Sequence, residues 1–159
     1  MMFDLFFLPC LDTRGHCICI LACDHFTKHQ WGRMLKTKLP SGVVDFLHGL
    51  SQTEGNAERW HCDNGGEFEN RSMRELMDLL NIKSMTHGKA LHPQTQGLVE
   101  RGNGQLKKRI FKAGMDQGHK HSNSTFDWGH VLDKELVKEN DRGFSAFFVC
   151  ATAHAIAQS

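Results

Sequence analysis

Two acidic residues in this chain stand beside residue types that suit phosphate chemistry. Asp63 follows a short run predicted as a strand, and Asn64 and two glycines come directly after it. Glu100 opens a predicted helix whose following turns are rich in lysine. A strand end and a helix face can meet at one edge of a sheet, so the two carboxylates can come together. Paired carboxylates beside a basic helix indicate metal-dependent chemistry on nucleic acid.

The ligand chemistry of such a pair favours Mg²⁺ or Mn²⁺. Two carboxylates a few ångströms apart repel each other unless one is protonated or a cation lies between them. Oxygen ligands without histidine or thiolate favour these hard cations. Two ions can activate an attacking oxygen and stabilise a leaving oxygen in a phosphodiester displacement. We therefore expect a two-ion site on Asp63 and Glu100, and this site needs a third acid from a neighbouring strand.

Each acid also has a simpler structural interpretation. Aspartate before Asn-Gly commonly starts a turn, and an acid in the first helical turn is favoured by the helix dipole. The chemical interpretation gains support because the helix face that starts at Glu100 continues through Asn103, Lys107 and Lys108. The apolar stripe of the same helix consists of Val99, Leu106, Ile110 and Ala113. A solvated helix flank has no need for an acid and two bases on one face.

Charge is distributed unevenly along the chain. Lysine and arginine total 19 against 18 acidic residues, so the net charge of +1 favours no class of partner. Between residues 101 and 115 there are bases and no acids. These bases are Arg101, Lys107, Lys108, Arg109 and Lys112. This local positive charge favours a nucleic-acid partner.

The elements that must position these residues follow from hydrophobic periodicity and turn signals. We predict strands over 2–8, 17–23, 30–35, 58–62 and 82–86, and helices over 41–55, 72–80 and 96–115. Ser41 is the expected N-cap of the first helix, and the residues from Ser72 to Glu75 resemble a capping box for the second. A three-stranded meander followed by βαβ units is typical of a mixed α/β sheet.

The length of 159 residues suits one domain with a tail. We predict a domain over 1–116 and a linker with an atypical tail over 117–159, in which Trp128 to Glu139 is a candidate helix. The apolar start of the chain lacks a basic region and is predicted as a strand rather than a signal peptide. No run reaches membrane-spanning length.

The six cysteines are predicted to be reduced thiols. A chain of this size does not need a disulfide framework, so a nuclear or cytosolic location is expected, with secretion excluded. A zinc site on His16, Cys17, Cys23 and His25 is a weak alternative because the sequence has no CxxC pair.

Four segments resemble one family. They are the segments 23–28 (CDHFTK), 35–38 (LKTK), 63–68 (DNGGEF) and 92–103 (HPQTQGLVERGN). On these motifs, residues 1–115 resemble the catalytic core of retroviral and retrotransposon integrases, and especially the GIN-transposon-derived integrase domains of vertebrate genomes. The resemblance implies an RNase H-like fold with a five-stranded sheet, a DNA partner, homo-oligomers, and two Mg²⁺ or Mn²⁺ ions at an Asp, Asp, Glu site.

The resemblance also implies the first acid and the DNA-binding residues. In the family the first acid lies in the first strand, which makes Asp4 the candidate and gives Asp24 a structural role. Asp4 lies in an apolar run, an unusual place for an acid that binds nothing. The expected catalytic and metal-binding residues are then Asp4, Asp63 and Glu100. The expected nucleic-acid-binding residues are Asn64, Gly65, Arg101, Asn103, Lys107 and Lys108.

Three functional hypotheses remain open on the sequence. The first is a DNA-integration-type polynucleotidyl transferase domain from a domesticated or truncated mobile element. The second is a catalytically silent remnant that binds nucleic acid or a protein, since the family's upstream zinc module and downstream DNA-binding module have no room in this chain. The third is a nuclease acting on RNA hybrids, which fits the fold but not the segment 92–100.

Overall fold

The fold is a mixed five-stranded sheet with helices on both faces. The computed structural model describes residues 1–9, 11–62, 65–88, 104–116 and 127–141. The strands are β1 (Met2–Phe7), β2 (Ile18–Cys23), β3 (Gln30–Leu35), β4 (Arg59–Cys62) and β5 (Ser84–His87), arranged in the order β3-β2-β1-β4-β5. The first three strands are antiparallel neighbours, whereas β4 lies parallel to β1 and β5 lies parallel to β4. The predicted mixed α/β architecture is confirmed.

Four helices are present among the described residues: α1 (Pro40–Glu54), α2 (Arg71–Leu79), α3 (104–116) and α4 (128–141). The third strand has its predicted bounds, and the other strands lie within two residues of theirs. The predicted start of α3 near residue 96 and the loop before it lie outside the described residues. Helix α4 covers the segment in which a candidate helix was expected.

Both predicted helix caps are wrong by two residues. Helix α1 begins at Pro40 with Leu39 as its N-cap, and that cap makes no side-chain hydrogen bond. Proline suits the first helical position because its missing N–H would have no partner there. Helix α2 begins after Asn70, whose side-chain oxygen accepts from the backbone N–H of Met73 at 3.0 Å. Ser72 therefore lies inside the helix.

Each face of the sheet carries its own hydrophobic cluster. The first cluster joins one face to α1 and α2 and includes Phe3, Val43 and Met73. The second joins the opposite face to α3 and α4 and includes Leu21 and Ile110. Strand β2 is buried along its whole length because helices cover it on both sides. Alternation along β1 places Phe3 and Leu5 toward the first cluster, and Asp4 and Phe6 toward the second.

Helices α3 and α4 are joined by close packing and by an ion pair. Gly114 of α3 lies directly against the fully buried ring of Trp128 of α4, and a Cβ at this glycine would overlap the ring. Arg109 pairs with Glu139 across the same two helices. Because α4 supplies side chains to the cluster that α3 enters, it packs against the same sheet. The boundary at residue 116 and the tail beyond 141 remain predictions.

The β1–β2 turn is tied to the start of α4 through the buried carboxylate of Asp12. One oxygen accepts from the backbone N–H groups of Arg14 and His16, at 2.9 and 2.8 Å. The other accepts from the backbone N–H of Trp128 at 3.3 Å and lies 2.9 Å from the His16 ring. His16 therefore has a structural partner, which disfavours the weak zinc alternative. The four described cysteines, at 17, 19, 23 and 62, are free thiols.

Asn140 of α4 binds the backbone of the edge strand β3. Its side-chain oxygen accepts from the backbone N–H of Gln30 at 2.8 Å, and its NH₂ group donates to the Gln30 carbonyl at 2.9 Å. The Asn140 amide therefore makes the two hydrogen bonds that a neighbouring strand would make.

Candidate active site

Asp4 lies in the middle of β1, on the sheet face that α3 covers. Its neighbour across the antiparallel ladder is Leu21, and its carboxylate forms an ion pair with the ammonium group of Lys107. The two side chains are 21% and 27% exposed, so the pair is partly shielded from water but still reachable from solvent. Burial of a carboxylate in an apolar strand is costly without a partner, and here a cation supplies that partner.

Helix α3 fixes the position of the Lys107 backbone. Leu106 and Ile110 are completely buried in the second cluster and hold the helix against the sheet. The side chain of Lys107, the residue after Leu106, extends toward β1. Its ammonium lies 4.9 Å from the centre of the Phe6 ring on that strand. The expectation that Lys107 lies on a polar face beside a buried apolar stripe agrees with this geometry.

The other described bases of α3 differ in their surroundings. Lys108 and Lys112 are exposed, whereas Arg109 is engaged by Glu135 and Glu139 of α4. The positive charges predicted for this segment therefore fall into two groups, those exposed to solvent and those paired with acids. Lys108 and Lys112 are presented to solvent, Arg109 binds the neighbouring helix, and Lys107 binds Asp4.

The strand that leads to Asp63 lies next to β1. Strand β4 ends at Cys62, and its residue His61 is paired with Met2 in the parallel ladder. Asp63 and Asn64 themselves lie outside the described residues, as do Glu100, Arg101 and Asn103. Of the predicted site residues, the structure describes Asp4, Gly65, Lys107 and Lys108, and it brings Asp4 and Lys107 into contact.

The turn after β4 is organised by Glu67 and Lys38. The Glu67 carboxylate folds back over Gly65, where a Cβ would collide with it, and lies 2.9 Å from the Lys38 ammonium. The Gly65 carbonyl accepts from the backbone N–H groups of Phe68 and Glu69 at 2.9 and 3.2 Å. Lys38 and Glu67 are absent from the predicted site residues, although both lie in the motifs that carry the family resemblance.

Asp24 has the structural role expected of it. Its carboxylate accepts from the backbone N–H and the hydroxyl of Thr27, at 2.8 and 2.7 Å, and so closes the β2–β3 turn. Burial favours the neutral acid, but these hydrogen bonds outweigh it and lower the pKa of Asp24 below its usual value. The Asp24 carboxylate therefore stabilises the β2–β3 turn.

One further group of metal-ligand types occurs among the described residues. Asp12, His16 and Asp127 place one ligand atom each within 4.8 Å of one another. Asp12 is already saturated by the contacts above, and Asp127 pairs with Arg14 at 2.8 Å. This group serves the turn and the start of α4, and it is separate from Asp4.

Comparison with known proteins places the fold. No protein-family model and no curated protein matches the chain. Among solved structures, the catalytic core domain of BIV integrase matches with a TM-score of 0.61 and 20% sequence identity. The match covers 86% of this chain and 80% of that one. Within the part of the chain that the structure describes, no helix is long and apolar enough to span a membrane. The structural match to the integrase domain shows that the chain has the RNase H-like fold of an integrase catalytic core.

Proposed function

We propose that this chain is a DNA-integration-type polynucleotidyl transferase domain, derived from a domesticated mobile-element integrase of the GIN type. Its catalytic and metal-binding residues are Asp4, Asp63 and Glu100. When bound there, two Mg²⁺ or Mn²⁺ ions supply Lewis-acid activation of the attacking and leaving oxygens. The proposal includes a DNA partner, a homo-oligomeric assembly and a nuclear location.

The contact between Asp4 and Lys107 is the observation that carries this proposal. An acid at the centre of β1 and a base on α3 meet, although 102 residues separate them in the chain. The motif that contains Glu100 runs directly into α3, and Asp63 directly follows β4, the neighbour of β1. The three chain segments that the motifs predict for the site therefore lead to the same region of the sheet.

The donor chemistry at Asp4 fits a divalent cation. Its carboxylate is a hard oxygen ligand, is open to solvent in part and already attracts a cationic group. Asp63 and Glu100 would add two more carboxylates, and no described histidine or thiol is bonded to the Asp4 carboxylate. This set favours Mg²⁺ or Mn²⁺ over zinc.

The remaining predicted residues have roles in binding nucleic acid. Lys108 presents an exposed ammonium on α3, where it can neutralise a phosphate. Gly65 lies in the turn after β4, two residues beyond Asp63, and its backbone belongs to the proposed set. Arg101, Asn103 and Asn64 complete the proposed set of nucleic-acid-binding residues. Together these groups would orient a DNA strand across the acidic site.

Nicking or strand transfer by the purified chain tests the proposal. We expect activity that requires Mg²⁺ or Mn²⁺ and that falls at least about 100-fold in Asp4→Asn and in Glu100→Gln. The matched control is Asp24→Asn, which changes a carboxylate engaged in a turn and retains activity in proportion to the folded protein. Metal-dependent activity that survives Glu100→Gln would reject the site. DNA binding without any metal-dependent activity would favour the catalytically silent remnant.

A further inference from the structure

We infer that Lys107 is a displaceable counterion of Asp4, which couples the binding of a divalent cation to the binding of a nucleic-acid phosphate. This inference rests on the proposed function because it concerns the same site. In this arrangement, cation binding at Asp4 releases the ammonium for a phosphate. Phosphate binding by Lys107 in turn leaves the carboxylate free for the cation.

The ammonium of Lys107 is held by two groups on β1. It pairs with the Asp4 carboxylate and lies 4.9 Å from the centre of the Phe6 ring, on the same face of the strand. The carboxylate supplies charge, and the ring face supplies a cation–π contact. Because both partners belong to one short strand, the lysine has a defined resting position directly over Asp4.

The helix that carries Lys107 is fixed by packing, whereas the lysine side chain can leave its resting position by rotation alone. Leu106 and Ile110 are fully buried, so the backbone of α3 cannot move away without opening the second cluster. The lysine stem has four rotatable bonds and carries a compact point charge. Displacement therefore needs only a rotation of the side chain, and the released ammonium stays within reach of the site.

Charge determines the sign of the coupling. A divalent cation held by the Asp4 carboxylate would repel the ammonium and compete with it for that carboxylate. A phosphate that binds Lys107 draws the ammonium away from the same oxygen. The cation and the phosphate therefore both require the Asp4–Lys107 ion pair to break. Once one of them has bound, the other binds without the free-energy cost of breaking that pair. Linkage requires that each ligand strengthens the binding of the other by the same factor.

The expected size of the effect follows from the partial exposure of the pair. Ion pairs that water can reach contribute modestly, so we expect a coupling factor of about three- to tenfold. Removing the lysine charge should tighten cation binding by that factor and abolish the mutual strengthening.

The first test measures Mn²⁺ binding by calorimetry, without nucleic acid, in the full 159-residue chain. We compare Lys107→Met, which keeps the apolar stem, with Lys112→Met, which removes an equal charge from an exposed position of α3. We expect about three- to tenfold tighter Mn²⁺ binding in Lys107→Met and a change below about twofold in Lys112→Met. Lys107→Gln provides the same comparison if the methionine variant fails to fold.

The second test measures the affinity for a short DNA duplex with and without Ca²⁺, a hard cation with oxygen-ligand preferences. The strengthening by Ca²⁺ should be about three- to tenfold smaller in Lys107→Met than in Lys112→Met. Equal strengthening in the two variants, or unchanged Mn²⁺ affinity in Lys107→Met, overturns the inference and leaves the proposed function in place. Absence of Mn²⁺ binding in the folded wild-type chain overturns both.

Discussion

The Lys38 ammonium lies 2.9 Å from a carboxylate oxygen of Glu67, which links the segment before α1 to the turn after β4. The Glu67 side chain is only 8% exposed, whereas Lys38 is half exposed. Among the described residues, the partly solvated Lys38 supplies the counter-charge of this nearly buried carboxylate. The Glu67 carboxyl group of this pair lies against Gly65, which is two residues after the predicted catalytic acid Asp63.

Removal of the lysine charge should destabilise this turn. In Lys38→Met the Glu67 carboxylate stays shielded but loses its counter-charge, and we expect a loss of about 1–2 kcal/mol in the free energy of unfolding. Urea unfolding at neutral pH measures the difference. Lys36→Met is the control, since it alters an exposed lysine two residues earlier in the same segment. Equal stability of the two variants would show that the pair contributes nothing.

Substitution of the glycine beneath Glu67 should have a larger effect than substitution of its neighbour. In Gly65→Ala the new Cβ overlaps the Glu67 carboxyl group, which is the end of a flexible side chain, and we expect a loss of about 1 kcal/mol as that group is displaced from Lys38. Gly66→Ala is the matched control because nothing lies within 4 Å of its Cβ position. Thermal unfolding of both variants gives the comparison.

A rescue variant separates this overlap from a backbone effect. In the double variant Gly65→Ala/Glu67→Ala the colliding carboxyl group is gone, so the alanine at 65 should cost less than it does in the presence of Glu67. The same cost in both backgrounds would contradict the steric explanation.

The contact between Gly114 and Trp128 should tolerate no added methyl group. Gly114→Ala places a Cβ inside the indole ring of a fully buried tryptophan, and we expect a loss of at least about 2 kcal/mol as α3 and α4 separate. Gly104→Ala in the same helix meets nothing within 4 Å and should be neutral or stabilising by about 0.5–1 kcal/mol. Denaturant unfolding monitored by tryptophan fluorescence distinguishes the two, and similar stabilities would refute the packing argument.

The stability contributed by Asp12 should depend on pH. Burial raises the pKa of this carboxyl group, but hydrogen bonds from the backbone N–H and ring of His16 and from the Arg14 backbone outweigh it, so the pKa lies below its ordinary value. A lowered pKa in the folded state stabilises the fold above the pKa of the unfolded chain. This contribution is lost as pH falls through the folded pKa.

The variant Asp12→Asn tests that dependence. Near pH 7 it should be less stable than the wild type by about 1–3 kcal/mol, because an amide cannot replace a carboxylate that accepts several hydrogen bonds. The difference should shrink as the pH falls below about 5, where first the unfolded and then the folded carboxyl group takes up a proton. Urea unfolding at several pH values measures it. A difference that grows as the pH falls below about 4 would reverse the assigned sign.

The strands and their order in the chain could be predicted because their signals are local. Apolar runs with turn residues between them located β1 to β3, and the third strand was predicted at its observed bounds. The helix caps failed because neighbouring residues compete for the same role. Pro40 favours a start one residue before Ser41, and Asn70 supplies the cap oxygen ahead of Ser72.

The contacts of the candidate site were predictable only in part. The family resemblance selected Asp4 over Asp24, and the hydrogen bonds from Thr27 agree with a structural Asp24. The ion pair between Lys38 and Glu67 was missed because it joins residues from separate elements, and no periodicity reports such a contact. The same reason applies to Gly114 and Trp128, whose fit depends on the angle between two helices.

The two hydrogen bonds from Asn140 to Gln30 bear on how copies of this molecule meet. An edge strand of a sheet has unpaired backbone N–H and C=O groups, which can bind a strand of another molecule and start aggregation. At Gln30 the backbone N–H and C=O groups are already bonded to Asn140 at the end of α4. The edge of β3 therefore has one residue fewer with free backbone groups for a foreign strand. A truncated chain that ends at residue 139 lacks Asn140, so the Gln30 backbone groups lose the hydrogen bonds to its side chain. This truncation should promote self-association through β3.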